Sequence, residues 1–257
     1  MSSKILSRRG LLTAGAWGVG AVALAGLIRY LIAPNYLEIL ESAENATFAA
    51  QRALLAGQPL AREFSEADMS PIFKANGTVL PDDPAYQALM ANEFADWRLR
   101  IDGLVSNPVD LTMADLKRLP QRTQITRHDC VEGWSAIGKW TGPQLGEILQ
   151  SVGMAPNARF VVFHCGDNLG GGSNGFYYES VDLVDAFHPQ TILAHTMNDA
   201  PLKVAHGAPL RLRVERQLGY KHAKYLMRIE VTDRVTHLGR GKGGYWEDRG
   251  YEWYAGI

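Results

Sequence analysis

Arg159-Phe160-Val161-Val162-Phe163-His164-Cys165 is a run of bulky apolar residues that reads as a strand. Upstream, Trp97-Arg98-Leu99-Arg100-Ile101-Asp102 alternates apolar and polar residues, as a half-buried strand does, and residues 121–128 form another extended run. Downstream, residues 176–180, 191–197, 209–215 and 225–232 read as further strands. The helical signals are short. Asp83-Pro84 caps one that runs through Phe94, and Leu111-Thr112-Met113-Ala114-Asp115-Leu116 reads as a capped second. Thr141-Gly142-Pro143 starts a third that ends at Gly153. Long helices do not alternate with the strands. The fold class is therefore α+β, mainly β, rather than doubly wound.

Composition excludes several function classes. With 46% hydrophobic and 21% charged residues, the 257-residue chain can bury a sizeable core without staples. A formal net charge of −1 gives no field that favours nucleic acid. Two cysteines are too few for a disulfide framework, and neither C-x-x-C nor H-E-x-x-H is present to suggest zinc. There is no phosphate-binding G-x-x-x-x-G-K-[ST] loop. The one G-x-S-x-G match, at residues 171–175, runs into a strand rather than a helix and makes a poor nucleophile elbow.

The amino terminus carries a targeting pattern. Lys4, Arg8 and Arg9 precede an apolar stretch over residues 11–28, the layout of a secretory signal. Ser7-Arg8-Arg9-Gly10-Leu11-Leu12 resembles a twin-arginine signal, read by the translocase that carries folded, cofactor-loaded proteins. The same stretch is about long enough to span a bilayer if uncut, and Ala23-Leu24-Ala25 offers a cleavage site. The expected organisation is a signal or anchor over residues 1–33, a helical and irregular linker over 34–70, and one globular domain over 71–257. The expected location is the periplasm, with or without a membrane tether.

In an oxidising compartment the thiol of Cys130 must pair, stay inert or bind something. A single Cys130–Cys165 disulfide is the plain reading. A thiolate ligand to a soft or high-valent metal is the other. Cys165 ends an apolar strand, where a free cysteine packs as a small hydrophobe. Arg211 and Lys224 suit a phosphate, as a guanidinium fork and a point charge, or lie on a solvated strand face.

Cys130-Val131-Glu132-Gly133-Trp134-Ser135, followed by Trp140-Thr141-Gly142, resembles the molybdenum-ligand segment of the sulfite oxidase family. It is closest to the branch of periplasmic methionine sulfoxide reductase catalytic subunits. The likeness continues through Phe163-His164-Cys165, through His206-Gly207-Ala208-Pro209-Leu210-Arg211 and through Gly219-Tyr220-Lys221-His222-Ala223-Lys224, with Asn76-Gly77-Thr78 upstream. The resemblance implies a sulfite-oxidase-like fold holding Mo-molybdopterin, with Cys130 as the metal ligand. It implies cofactor contacts from Asn76, Gly77, Thr78, Cys165, His206, Arg211, His222, Ala223 and Lys224. His206 and His222 equally suit turns that they satisfy themselves.

This chain also departs from the family pattern. Sulfite oxidases carry a Tyr in a Leu-Ala-Tyr-x-Met-Asn stretch, where this chain has Leu193-Ala194-His195-Thr196-Met197-Asn198. Lys221 stands where they use an Arg to hold sulfite. His195 and Lys221 are therefore the candidates for substrate contact or proton handling. Glu132 and Trp134 are expected to wall the pocket, and the aromatic residues near the carboxyl end to form a packed tail. The activity implied is two-electron oxygen-atom transfer on a small sulfur- or nitrogen-centred oxide or oxyanion. No haem motif is present, so electrons pass through a separate cytochrome or membrane haem protein. A sulfite dehydrogenase is the enzymatic alternative. A disulfide-stapled, non-enzymatic binding domain is the alternative of another class.

Overall fold

Strand β5 (Phe160–Asn168) grows from the apolar run and sits inside a five-stranded sheet. Its neighbours are β11 (Leu226–Thr232) and β6 (Phe176–Asp182), both antiparallel to it. β1 (Leu99–Gly103) pairs in parallel with β11 and antiparallel with β2 (Val109–Leu111), which closes the order β2-β1-β11-β5-β6. Residues 59–170, 172 and 175–257 are described by the computed structural model, together with 42–43, 46–47, 49–50 and 52–54. The expected signal over residues 1–33 lies outside the described residues. Within the helical and irregular linker expected over 34–70, the described residues between 42 and 54 are helical. Among the described residues, no helix is long and apolar enough to cross a membrane.

The chain divides into Met1–Gln58 and Pro59–Ile257. Residues 59–70, expected to be linker, pack with the second unit. Phe64 N donates to Ile125 O at 2.9 Å, and the Gln190 amide bonds both backbone groups of Ala61. These backbone groups have protein partners that a solvated linker would not supply.

Three short helices sit close to where the sequence places them. In α1 (Pro84–Ala91), the Asp83 carboxylate accepts from the amides of Ala85 and Tyr86. The helix stops short of Phe94 because Glu93 and Phe94 adopt left-handed backbone, φ 56° and 60°. α2 (Met113–Arg118) starts on a Thr112–Asp115 capping box. α3 (Leu145–Val152) buries Leu145, Ile148, Leu149 and Val152, an i, i+3, i+4, i+7 stripe, and ends at Gly153 with φ +68°.

Three strands stand where none is expected, two short ones at Val109–Leu111 and Ala200–Pro201 and a long one at Trp134–Pro143. β3 (Gln121–Cys130) and β4 (Trp134–Pro143) pair along their whole length as a hairpin. Gly142 and Pro143, read as helix-start signals, close β4 instead. The reason is proximity. A Cβ on Gly142 would lie 2.0 Å from the carbonyl oxygen of Leu193, so only glycine lets β4 approach β7 (Ile192–Ala194) this closely. The strand expected over 191–197 is split into β7 and β8 (Thr196–Met197). β7 pairs with β10 (Arg211–Arg213), while β8 extends the hairpin sheet with β9 (Ala200–Pro201). The larger core, with Leu99, Ile101, Val161, Phe163 and Ile229, lies against the five-stranded sheet. A smaller one forms around Trp140.

Candidate active site

The β3–β4 hairpin delivers Cys130 at its turn. Gly133 N donates to Cys130 O at 3.0 Å, and Gly133 takes φ +84°, a left-handed conformation that favours glycine. Glu132 ties this turn to a second loop. One of its carboxylate oxygens accepts from Trp134 Nε1 at 3.0 Å, the other from Gly77 N at 3.1 Å. Lys224 ties that loop to a third. Its ammonium donates to Asn76 O at 2.7 Å, to Ala205 O at 3.0 Å and to Thr78 O, and Tyr225 Oη donates to Thr78 O at 2.7 Å. These segments converge on a cleft of about 290 Å³. Asn76, Gly77, Thr78, Cys130, His222 and Lys224 all line it. The sequence placed these residues in one site, and they are brought together from three separate loops.

Burial sets the electrostatics. It lowers Lys224 to about 7, with Arg211 adding repulsion, and raises Asp167, also in the lining, to about 6. It pushes the Cys130 thiol upward, against a backbone amide at Glu132 that favours the thiolate. His222 is held well below the ordinary histidine value, by burial first and by Arg213, His128 and Arg211 next. Its tautomer follows from its partner. Nε2 lies 3.0 Å from Gln217 O, which can only accept, so the proton is on Nε2 and Nδ1 is a bare acceptor. That Nδ1 is buried without a partner, while the Thr78 side chain bonds the Asp167 carboxylate. All three residues line the cleft.

Unpaired buried polar atoms of this kind cost on the order of 1–3 kcal/mol each. A ligand rich in donors and acceptors and carrying an anion supplies the missing partners. The ring N–H groups of a pterin suit His222 Nδ1, and its phosphate suits Lys224, whose hydrogen bonds go to neutral carbonyls. The residues present therefore fit molybdopterin, with Cys130 as the one thiol at the wall. Among the described residues no cluster of three His, Cys, Asp or Glu could hold a metal ion by itself.

Other expected site residues lie elsewhere. Cys165 is buried in the core, its sulfur 4.0 Å from Phe163 O, and both cysteines are free. It neither lines the cleft nor pairs with Cys130, which corrects both the cofactor-neighbour and the disulfide expectations. Arg211 is fully buried behind the wall rather than forked into the cleft. It donates to the carbonyls of His206 and His222 at 3.0 and 3.4 Å and lies over the Trp140 ring at 5.0 Å. Its place is one of positioning: it holds the two histidine backbones. Ala223 is buried, and its carbonyl accepts from Leu212 N. His206 packs edge-on to Phe73, outside the lining, and burial lowers it to about 4.

Lys221 and His195 leave the catalytic set. Lys221 is completely buried between Glu179 and Glu247, the latter at 2.6 Å. Burial opposes its charge, yet the two carboxylates outweigh that and hold the ammonium on. His195 faces a different cavity. In their place the cleft has an aromatic wall of Tyr177, Tyr220, Trp246 and Tyr251, with Asp167 beside it. Trp246 stacks on Tyr251 at 5.4 Å, and Tyr220 meets Tyr251 edge-on at 5.1 Å. Trp246 therefore belongs to the cleft and not merely to a packed tail.

A mixed, sheet-dominated fold that presents one thiol over a cradle for a polar, anionic cofactor defines a class of cofactor-dependent redox domains. The chain belongs to the oxidoreductase molybdopterin binding domain family, whose model matches residues 86–238, and its cofactor is Mo-molybdopterin. It is 43% identical over 162 residues to the putative protein-methionine-sulfoxide reductase subunit YedZ1 of Azospira oryzae, covering 63% of this chain and 56% of that protein. It is 32% identical over 146 residues to the protein-methionine-sulfoxide reductase catalytic subunit MsrP of Campylobacter jejuni, covering 53% of this chain and 49% of that one. The sulfane dehydrogenase SoxCD of Paracoccus pantotrophus is similar in structure at a TM-score of 0.48 and 24% identity, over 54% of this chain and 39% of that one. The chain spans about half the length of the curated relatives it matches.

Proposed function

We propose that this chain is the catalytic part of an exported oxidoreductase that reduces a neutral S-oxide, methionine sulfoxide foremost, with electrons supplied by a separate haem protein. The charge of the cleft carries the reading. Glu132 and Asp167 face a single lining cation, Lys224, whose ammonium is already held by carbonyls. A tetrahedral dianion such as sulfite calls for a guanidinium clamp, and the lining contains no arginine. Lys221, the residue at the family's arginine position, is spent on two glutamates. A sulfoxide is neutral, and its methyl and thioether-like sulfur suit the faces of Trp246, Tyr220 and Tyr251.

Bound molybdopterin supplies the two-electron redox chemistry. The chain's own residues do the rest. Cys130 anchors the metal, Lys224 and His222 hold the cofactor, and the aromatic wall excludes water and orients the substrate. Asp167, titrating near pH 6, can hold and release a proton at the cleft wall. The reduction consumes two electrons and two protons and releases water and the thioether. The names of the relatives support the substrate. The twin-arginine pattern at residues 7–12 supports export to the periplasm.

The test is a pair of assays on full-length protein from a cofactor-competent host. Reduced viologen dye should be oxidised with methionine sulfoxide, and ferricyanide should not be reduced with sulfite. The opposite pattern would establish a sulfite dehydrogenase and overturn the proposal.

A further inference from the structure

Three elements carry most of the aromatic wall of the cleft. Tyr177 stands on β6, Tyr220 on the turn at residues 219–221, and Trp246 at the entry to the turn at residues 247–249. Each element also buries one charged residue close by in sequence. These are Glu179, which alternates with Tyr177 on the inner face of β6, Lys221 next to Tyr220, and Glu247 next to Trp246.

The three charged groups meet. The Lys221 ammonium donates to Glu247 Oε1 at 2.6 Å and to Glu179 Oε1, and no more than 1% of any of the three side chains is exposed. The ring of Trp253 lies 5.3 Å from the same ammonium. Little room is left around them. A Cβ on Gly244 would lie 2.0 Å from Glu247 Oε2 and 2.8 Å from Glu179 Oε1. Neighbouring groups fasten the same elements. Asp248 accepts from Tyr178 Oη at 2.6 Å, Tyr245 N donates to Tyr178 O at 2.9 Å, and Tyr177 Oη donates to Tyr220 O.

Taking these charges out of water costs about what their attraction returns, so the cluster is a poor source of stability. Its geometric demand is strict. If any of the three elements moves, a buried charged group loses its partner, so β6 and the two turns are held at one separation. At that separation Trp246 stacks on Tyr251 at 5.4 Å, and Tyr220 meets Tyr251 edge-on at 5.1 Å.

We propose that Glu179, Lys221 and Glu247 are positioning residues for the aromatic wall, and that the wall so placed packs against the apolar arm that an S-oxide carries beyond its sulfur. The choice of ligand rests on the S-oxide reading of the cleft; the positioning role does not.

Glu247 is the residue to change, because Lys221 then stays paired with Glu179 and no buried charge is stranded. The test uses full-length, molybdenum-loaded protein, with rates taken per molybdenum. Methyl phenyl sulfoxide supplies an apolar arm, and dimethyl sulfoxide lacks one. In Glu247→Ala, KM for methyl phenyl sulfoxide should rise about tenfold, the value of one aromatic contact. Its kcat should stay within about twofold, and KM for dimethyl sulfoxide should stay nearly unchanged. Glu247→Gln, which keeps an oxygen for Lys221, should restore the wild-type KM. The wall itself is read by fluorine NMR on protein labelled with fluorotryptophan, the Trp246 resonance being assigned from Trp246→Phe. That resonance should move in Glu247→Ala and return in Glu247→Gln. Should Glu247→Ala fail to fold, Glu247→Asp, one methylene short of Lys221, takes its place with the same expectations. An unmoved Trp246 resonance, equal rises in KM for the two sulfoxides, or a Glu247→Gln protein that behaves like Glu247→Ala each overturn the proposal. A wild-type protein that reduces neither sulfoxide overturns the S-oxide reading instead, and the Trp246 resonance alone then decides the positioning role.

Discussion

At the residue scale, Lys224 shows what burying an ammonium costs. Its folded value, about 7, lies below the 10.5 of a free lysine, so its contribution to stability is present above about pH 10.5 and lost as pH falls through 7. The apoprotein should therefore lose stability in urea from pH 10 to 7, and Lys224→Met should flatten that slope. Binding of a phosphate-bearing ligand should draw a proton onto Lys224, seen by calorimetry at pH 8 in buffers of different ionisation enthalpy. Asn76, Thr78, Cys130, His222 and Lys224 were legible in the sequence because each sits in a short motif beside a turn glycine or the cysteine. Asp167, Tyr177, Trp246 and Tyr251 were not. They come from the end of β5, from β6 and from the last turns of the chain, and no local pattern distinguishes an aromatic that lines a cleft from one that packs a tail. Lys221 misled for the converse reason: its charge suggested a pocket, while its partners, Glu179 and Glu247, lie 42 and 26 residues away.

At the element scale, the β3–β4 hairpin is the piece that presents the thiol. Its second strand, β4, must lie against β7, and Gly142 makes that possible. Gly142→Ala should destabilise the protein by about 2–4 kcal/mol through a backbone clash with Leu193, read from urea unfolding midpoints. Trp140, fully buried on the same strand, carries the guanidinium groups of Arg211 and Arg213 at 5.0 and 4.3 Å. Trp140→Ala should cost about 3–5 kcal/mol and lower cofactor content, because the arginine that holds the carbonyls of His206 and His222 loses its platform. Most strands and all three of the expected helices were legible, since periodicity and caps are local. β4 was not, because Gly142 and Pro143 are helix-start signals until the close approach of Leu193 is known.

At the scale of the whole molecule, the buried cations are matched by buried carboxyl groups, and burial keeps several histidines neutral. His206, lowered to about 4, and His222, held well below its ordinary value by burial, contribute stability that is present above pH 6.5 and lost as pH falls through their folded values. Asp167 acts in the opposite sense, its contribution being full below about 3.8 and lost as pH rises through 6. Five lowered histidines, His128, His188, His195, His206 and His222, against the raised carboxyls of Asp167 and Glu179 predict a melting temperature that falls between pH 6.5 and 4. An anion held by the cradle should reduce the fall. Lys224 and the neutral His222 prepare the cleft for its cofactor, with Cys130 at its wall. The most direct test of that arrangement is X-ray absorption at the molybdenum edge, on wild-type protein and on Cys130→Ser loaded in the same host. The account predicts one fewer sulfur bound to molybdenum in the variant. An identical sulfur count in both would contradict it.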